Sequence, residues 1–358
     1  MYCPRCYVVL RLVVFGLALT VAIKILSQPR ARKLEPEPKE AQKDILRFWA
    51  DGQGKVREPA KQTNPQPAGG GPQEPQVSTG EEARHCAPPA SPNWTPTPPL
   101  RVVHLDLKGA APKIKYLEQI FPLFSSLGAT GVLLEYEDMF PYDGELKVLR
   151  SPYAYSVEDI RTIRDLAQRS NLQIIPLVQV FGHLEFVLKH EQYHSLREVA
   201  DYPNSLNPHA PGSQTLNRAM LEQVLEQHPD SAWLHIGADE VFGLGESQDS
   251  KNWLQSNKGD KGKMYLDHVT TVASIIREKR PGIQLLMWDD MLRQINSNTL
   301  KSKGPFWPAN LASPMMWFYN AQLNLKAIDQ LIITYQDVGF SDIWFASAFK
   351  GRQALIRE

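Results

Sequence analysis

From Leu100 onward the chain alternates between short apolar runs and longer stretches in which apolar residues recur every three or four positions. The runs at 102–107, 131–136, 172–179, 232–236, 283–288, 314–319 and 342–346 predict seven strands. Most are too apolar to alternate, the pattern of parallel strands covered on both faces. Between them, 114–127, 157–170, 215–228, 263–280 and 323–338 predict amphipathic helices. Ser156, with Glu158 and Asp159 in the first turn, supplies an N-cap for the second. Strand-then-helix repeated at this spacing predicts an α/β fold, a TIM (β/α)8-type barrel, over 100–358. Only seven strands are visible and Glu358 follows closely on the last, so the last β/α unit is expected to be missing and the barrel incomplete.

Before Leu100 the pattern changes. Residues 12–23 form an uncharged, mostly apolar run. With Arg11 and Lys24 snorkelling, it extends over 8–26, long enough to span a bilayer. No small-x-small cleavage site follows, so 1–27 is read as an uncleaved signal anchor, a membrane segment. Lys24, Arg30, Arg32 and Lys33 after the run argue for a cytosolic C-terminal part, but Asn93-Trp94-Thr95 is an N-glycosylation sequon that requires a lumenal one. The expectation is a single-pass type II protein of the secretory pathway or Golgi, glycosylated at Asn93. Residues 28–99 hold 14 of the 28 prolines in a fifth of the length, which predicts a disordered stalk rather than a domain.

Charge narrows the partners. Lys+Arg and Asp+Glu both number 39, so no basic field argues for nucleic acid, and small-molecule or glycan partners fit better. Cys3, Cys6 and Cys86 all precede the folded part, which therefore has no disulfide and no thiolate metal site of its own.

In parallel α/β barrels the chemistry sits where strands end. Those positions here are Asp106 and Lys108; Glu135, Glu137 and Asp138; Gln179 and then Gly182-His183; Asp239 and Glu240; Trp288, Asp289 and Asp290; Trp317 and Tyr319; and Trp344. Carboxylates, a lysine and indoles together suit a sugar, whose hydroxyls take polar partners while its C–H face lies on an aromatic ring. Adjacent acids such as Asp239-Glu240 are common on solvated surfaces. Here they follow an apolar strand and precede a glycine-containing loop, which allows two environments and two roles. His104 and His235 lie mid-strand and read as core histidines, Trp233 as core, and Glu135 as a buried acid paired with lysine or arginine. His183, in a loop, reads as functional. No His-x-His spacing and no histidine pair at the strand ends supports a metal centre.

These residues resemble a known family. His235-Ile-Gly-Ala-Asp-Glu240 is similar to the signature of glycoside hydrolase family 20, and six further stretches resemble one branch of it: Leu105-Asp-Leu-Lys-Gly109, Glu135-Tyr-Glu-Asp-Met-Phe-Pro-Tyr142, Phe181-Gly-His-Leu-Glu-Phe-Val-Leu-Lys-His190, Leu206-Asn-Pro-His209, Met287-Trp-Asp-Asp-Met291 and Ala346-Ser-Ala-Phe-Lys-Gly351. The likeness runs over roughly 101–351. It implies a retaining exo-β-N-acetylhexosaminidase acting on terminal β-linked N-acetylglucosamine or N-acetylgalactosamine, without cofactor. The nucleophile would be the substrate's own acetamido oxygen. Glu240 would then be the general acid/base, which needs a raised pKa, and Asp239 would orient and stabilise the acetamido group. His183 would lie beside them, Trp288 and Trp317 would wall the pocket, and Asp106, Lys108, Glu137 and Asp290 would bind hydroxyls. The family's arginine after the first strand is replaced by Lys108 at a different spacing. A cytoplasmic or nuclear location, as for soluble relatives, is the alternative placement. The alternative function is a catalytically impaired glycan-binding or regulatory form of the same fold.

Overall fold

The computed structural model describes residues 100–301, 311–318 and 323–347. In chain order the elements are β1 (Val102–Asp106), α1 (Ile114–Ser126), β2 (Gly131–Glu135), α2 (Val157–Arg169), β3 (Gln173–Leu177), α3 (Glu185–Leu188), β4 (Arg197–Val199), β5 (Tyr202–Leu206), α4 (Ser213–Gln227), β6 (Trp233–His235), α5 (Gln248–Ser256), α6 (Lys261–Lys279), β7 (Gln284–Trp288), α7 (Ser297–Lys301), β8 (Ala312–Trp317), α8 (Leu325–Val338) and β9 (Trp344–Ala346). Seven strands form one parallel sheet in the order β1-β2-β3-β6-β7-β8-β9, matching the seven runs legible in the sequence.

The sheet is curled. The His104 ring on β1 lies 5.8 Å from Trp288 on β7, although three strands intervene. In a flat sheet four inter-strand steps would separate them by ~19 Å. Trp233 on β6 likewise lies 5.1 Å from Trp344 on β9. The concave face carries alternate residues: Leu133, Ile175, Leu177, Leu286, Trp288 and Met315 form a small apolar cluster against which Val102, Trp233, Trp317 and Trp344 pack. The convex face, with Val132, Leu134, Leu234, Leu285 and Met287, joins the larger core beneath α1, α2, α4 and α6 through Phe121, Ile163, Met220, Leu221, Val272 and Ile276. Both faces are apolar because both are covered, which is why these strands do not alternate in sequence.

Helix α2 starts with a capping box: Ser156 accepts the Asp159 N–H while the Asp159 carboxylate accepts the Ser156 N–H. The antiparallel β4–β5 hairpin and α5 have no counterpart in the sequence reading. Arg197-Glu198-Val199 is too short for a periodicity, and Pro203 masks the second strand. Among the described residues β1 bonds only β2 and β9 only β8, so the sheet is an open, partial barrel. Among the same residues no helix is long and apolar enough to cross a membrane. The expected anchor at 1–27, the stalk at 28–99 with Asn93, and Tyr319 lie outside the described residues.

Candidate active site

Beyond β6 the chain makes an uncommon turn. Gly237 (φ 62°), Ala238 (φ 65°) and Glu240 (φ 46°) all lie in the left-handed region. Of the six non-glycine residues at positive φ among the described residues, four (Glu137, His183, Ala238 and Glu240) stand at the C-terminal mouth of the sheet. Each such residue costs on the order of 1–3 kcal/mol and persists only where its surroundings fix it. They do so here. Ala238 donates its N–H to Gln179 Oε1 (3.2 Å) and accepts the Tyr265 hydroxyl (2.9 Å). Glu240 donates its N–H to Asp290 Oδ2 (3.0 Å). Gly237 is favoured by its φ, and a Cβ there would stand 2.0 Å from Gln179 Oε1 and displace that amide.

The turn presents Asp239 and Glu240 to one imidazole. His183 Nε2 lies 3.3 Å from Asp239 Oδ2 and 3.3 Å from Glu240 Oε2. Burial alone would lower the His183 pKa, but hydrogen bonds and charge from both carboxylates push it up to about 11, so the ring is an imidazolium across the neutral range. The approach depends on Gly182, where a Cβ would meet the Asp239 carbonyl oxygen at 2.0 Å. On its far side Asp239 Oδ1 accepts from Gln179 Nε2 (3.1 Å), which also donates to Glu135 Oε1 (3.0 Å). Glu135 Oε2 in turn lies 3.0 Å from His104 Nε2. Burial opposes ionisation of Glu135, and His104 and Gln179 outweigh it, holding its carboxyl below the ordinary range. A continuous polar chain thus runs His104–Glu135–Gln179–Asp239–His183–Glu240.

The other expected site residues divide into groups. Lys108 Nζ meets Glu137 Oε1 at 3.0 Å, and the Lys108 N–H donates to Asp106 Oδ1 (3.0 Å). Burial pushes Glu137 up to about 7, with Lys108 opposing and the Glu135 and Asp106 charges reinforcing. Asp290 is buried and its Oδ2 is committed to the Glu240 backbone, while its Oδ1 has no partner. Burial and the Asp239 charge raise it to about 7. Trp288 is 7% exposed on the concave face, 4.5 Å from the His235 ring. Trp317 is half-buried there under the Arg293 guanidinium, which Asp289 holds and the Tyr335 hydroxyl braces through Asp289 Oδ2.

The structure therefore brings His183, Asp239, Glu240 and Asp290 into one cluster and Asp106, Lys108 and Glu137 into a second. Glu135 and Gln179 join the first; the sequence placed both at strand ends but assigned neither a role in catalysis or substrate binding. Glu135 pairs with histidine and glutamine rather than with lysine or arginine. Gln179, a lone amide ending the apolar run Ile174-Ile175-Pro176-Leu177-Val178, was the available signal. His104 is more than a core residue, since its side chain is 36% exposed and its Nε2 lies 3.0 Å from Glu135 Oε2. His235 is fully buried; its Nδ1 accepts the Gly237 N–H (3.0 Å), its Nε2 has no partner, and burial pushes it down to about 3. Among the described residues no group of three His, Cys, Asp or Glu could hold a metal ion.

Curled parallel sheet and paired acids beyond its fourth strand define an α/β-barrel domain of the glycoside hydrolase class. Residues 122–329 match the catalytic domain of glycosyl hydrolase family 20, and the chain belongs to that family. It is 52% identical over 253 residues to hexosaminidase D of Bos taurus, covering 70% of this chain and 72% of that protein. It is 50% identical over 252 residues to hexosaminidase D of Homo sapiens, where the match covers 70% of this chain and 51% of the relative, so the chain spans about half the human protein's length. Its fold is similar to the crystal structure of a β-N-acetylhexosaminidase from Bacteroides fragilis, with a TM-score of 0.54 at 17% identity, over 68% of this chain and 49% of that one.

Proposed function

We propose that the chain is a retaining exo-β-N-acetylhexosaminidase that removes terminal β-linked N-acetylglucosamine or N-acetylgalactosamine from glycans with the substrate's acetamido group as nucleophile. One observation carries the reading: a single His183 nitrogen lies 3.3 Å from one oxygen of each of two adjacent carboxylates. The acetamido oxygen attacks the anomeric carbon as the glycosidic C–O bond breaks, and Glu240 protonates the departing oxygen. Asp239, steadied by Gln179 and His183, faces the acetamido N–H and the positive charge that grows on it. Glu240 then takes a proton from the water that reopens the cyclic intermediate, and two inversions leave the configuration unchanged. Lys108, Glu137 and Asp106 take the sugar hydroxyls in this scheme, a role supported by their contacts with one another at the same mouth.

The test is turnover of aryl β-N-acetylglucosaminide and β-N-acetylgalactosaminide by the full chain. Glu240→Gln is expected to lower kcat by about 10²–10⁴-fold, and Asp239→Asn by about 10²–10³-fold. A parent chain that binds N-acetylhexosamine without turning it over overturns this reading. It would leave the glycan-binding form, a reading supported by the lack of β1–β9 pairing among the described residues. The apolar run at 8–26 and the Asn93 sequon support a further element of the proposal, a type II anchor that places the barrel on the lumenal side.

A further inference from the structure

The β4–β5 hairpin stands outside the main sheet, and two loops of the candidate site meet on it. On one side β5 grips the segment that carries His183: Leu206 donates its N–H to the Phe181 carbonyl (2.9 Å), Leu184 donates its N–H to the Asn204 carbonyl (2.9 Å), and Asn204 Nδ2 donates to Glu185 Oε1 (3.1 Å). On the other side β4 holds the loop that follows Glu240. Glu198 is 1% exposed. Its Oε1 accepts the N–H groups of Gly245 (2.6 Å) and Glu246 (3.1 Å), and its Oε2 accepts the Ser250 hydroxyl (3.0 Å). The same loop is pressed onto β4 at Gly243, where a Cβ would stand 2.4 Å from Val199 Cγ2.

A buried carboxylate is costly unless its lone pairs are met, and an apolar side chain would fill the same volume without that cost. All three donors that meet Glu198 come from the loop beyond Glu240 and the first turns of α5, so this carboxylate fixes the shape of that loop. Glu240 sits at φ 46°, a conformation the local chain does not favour, and it needs restraint on both sides. Asp290 supplies it at the Glu240 N–H; the far end of the loop is held by Glu198.

We infer that Glu198 is a positioning residue for the His183–Asp239–Glu240 cluster, acting through the 241–246 loop and the β4–β5 hairpin. The inference rests on the hydrolase reading of that cluster. Glu198→Gln keeps Oε1 for the two N–H groups and turns an amide donor toward the Ser250 oxygen. Glu198→Ala removes all three bonds, and Glu198→Asp keeps the charge but withdraws it by one methylene.

In the full chain, amide hydrogen exchange at Gly245 and Glu246 is expected to accelerate at least about tenfold in Glu198→Ala, the loss of a buried hydrogen bond. Exchange in β7 and α6 should stay at parental rates, with Glu198→Gln close to the parent and Glu198→Asp between. The His183 imidazole resonances should move in the same order. On the aryl substrate kcat should fall by ~10²-fold in Glu198→Ala with KM nearly unchanged, as displacement of a catalytic group predicts, and recover in Glu198→Gln. Acceleration spread evenly over the chain, or unmoved His183 resonances in Glu198→Ala and Glu198→Asp, would overturn the inference. A parent that shows no turnover would sink the hydrolase reading instead, and exchange and resonances would still decide whether Glu198 holds the cluster.

Discussion

At His183 two opposing effects meet. Partial burial favours a neutral ring, two carboxylate oxygens at 3.3 Å favour a charged one, and the pair wins by enough to push the group up to about 11. A histidine raised from its ordinary value near 6.5 binds its proton more tightly folded than unfolded, so it adds stability that is complete below about pH 6.5 and is lost as pH rises toward about 11. His183→Asn tests this cleanly, because asparagine tolerates φ 52° better than most residues and leaves the backbone unstrained. Parent minus variant Tm is expected to be largest at pH 6 and to shrink steadily toward pH 11. A difference that stays flat across that window would show that the imidazolium contributes nothing to folding.

Between elements, the site depends on two backbones passing without side chains between them. The β3 loop and the β6 loop touch at Gly182 and the Asp239 carbonyl, and there is no room for a methyl group. Gly182→Ala must push them apart. The expected cost is about 1–3 kcal/mol of stability from overpacking, together with a ~10²-fold fall in kcat as Asp239 leaves its place between Gln179 and His183. Denaturant titration and steady-state kinetics check both; normal turnover in a folded variant would mean that the approach is not needed. The same geometry explains what the sequence could reveal. The strands were legible because they are short apolar runs, largely buried in β2, β7 and β8 though not in the edge strands β1 and β9, and Asp239-Glu240 because it follows one such run. The chain of contacts behind the pair was not. His104–Glu135, Glu135–Gln179 and Gln179–Asp239 join residues 31, 44 and 60 apart, on strands whose adjacency follows only from sheet order and curl. The Glu198 clamp was hidden for a second reason, since its partners are mostly backbone N–H groups, which leave no mark on side-chain pattern.

For the whole molecule, the proposed anchor at 1–27 makes a prediction about compartment. The positive-inside count argues for the cytosol, with Lys24, Arg30, Arg32 and Lys33 following the apolar run against Arg5 and Arg11 before it. That bias is a matter of probability over short flanks, whereas glycosylation at Asn93 is a chemical record of the compartment the chain has entered. A terminal N-acetylhexosamine substrate fits a lumenal site, where glycans are displayed. Expression of the full chain in secretory-competent cells is therefore expected to give a species that runs faster after enzymatic deglycosylation, and Asn93→Gln is expected to run at that faster position without treatment. Deletion of 1–27 should abolish both the shift and recovery in the membrane fraction. If the parent chain stays membrane-bound but shows no shift, the positive charges after the run have set the orientation, and the barrel meets its substrate in the cytosol.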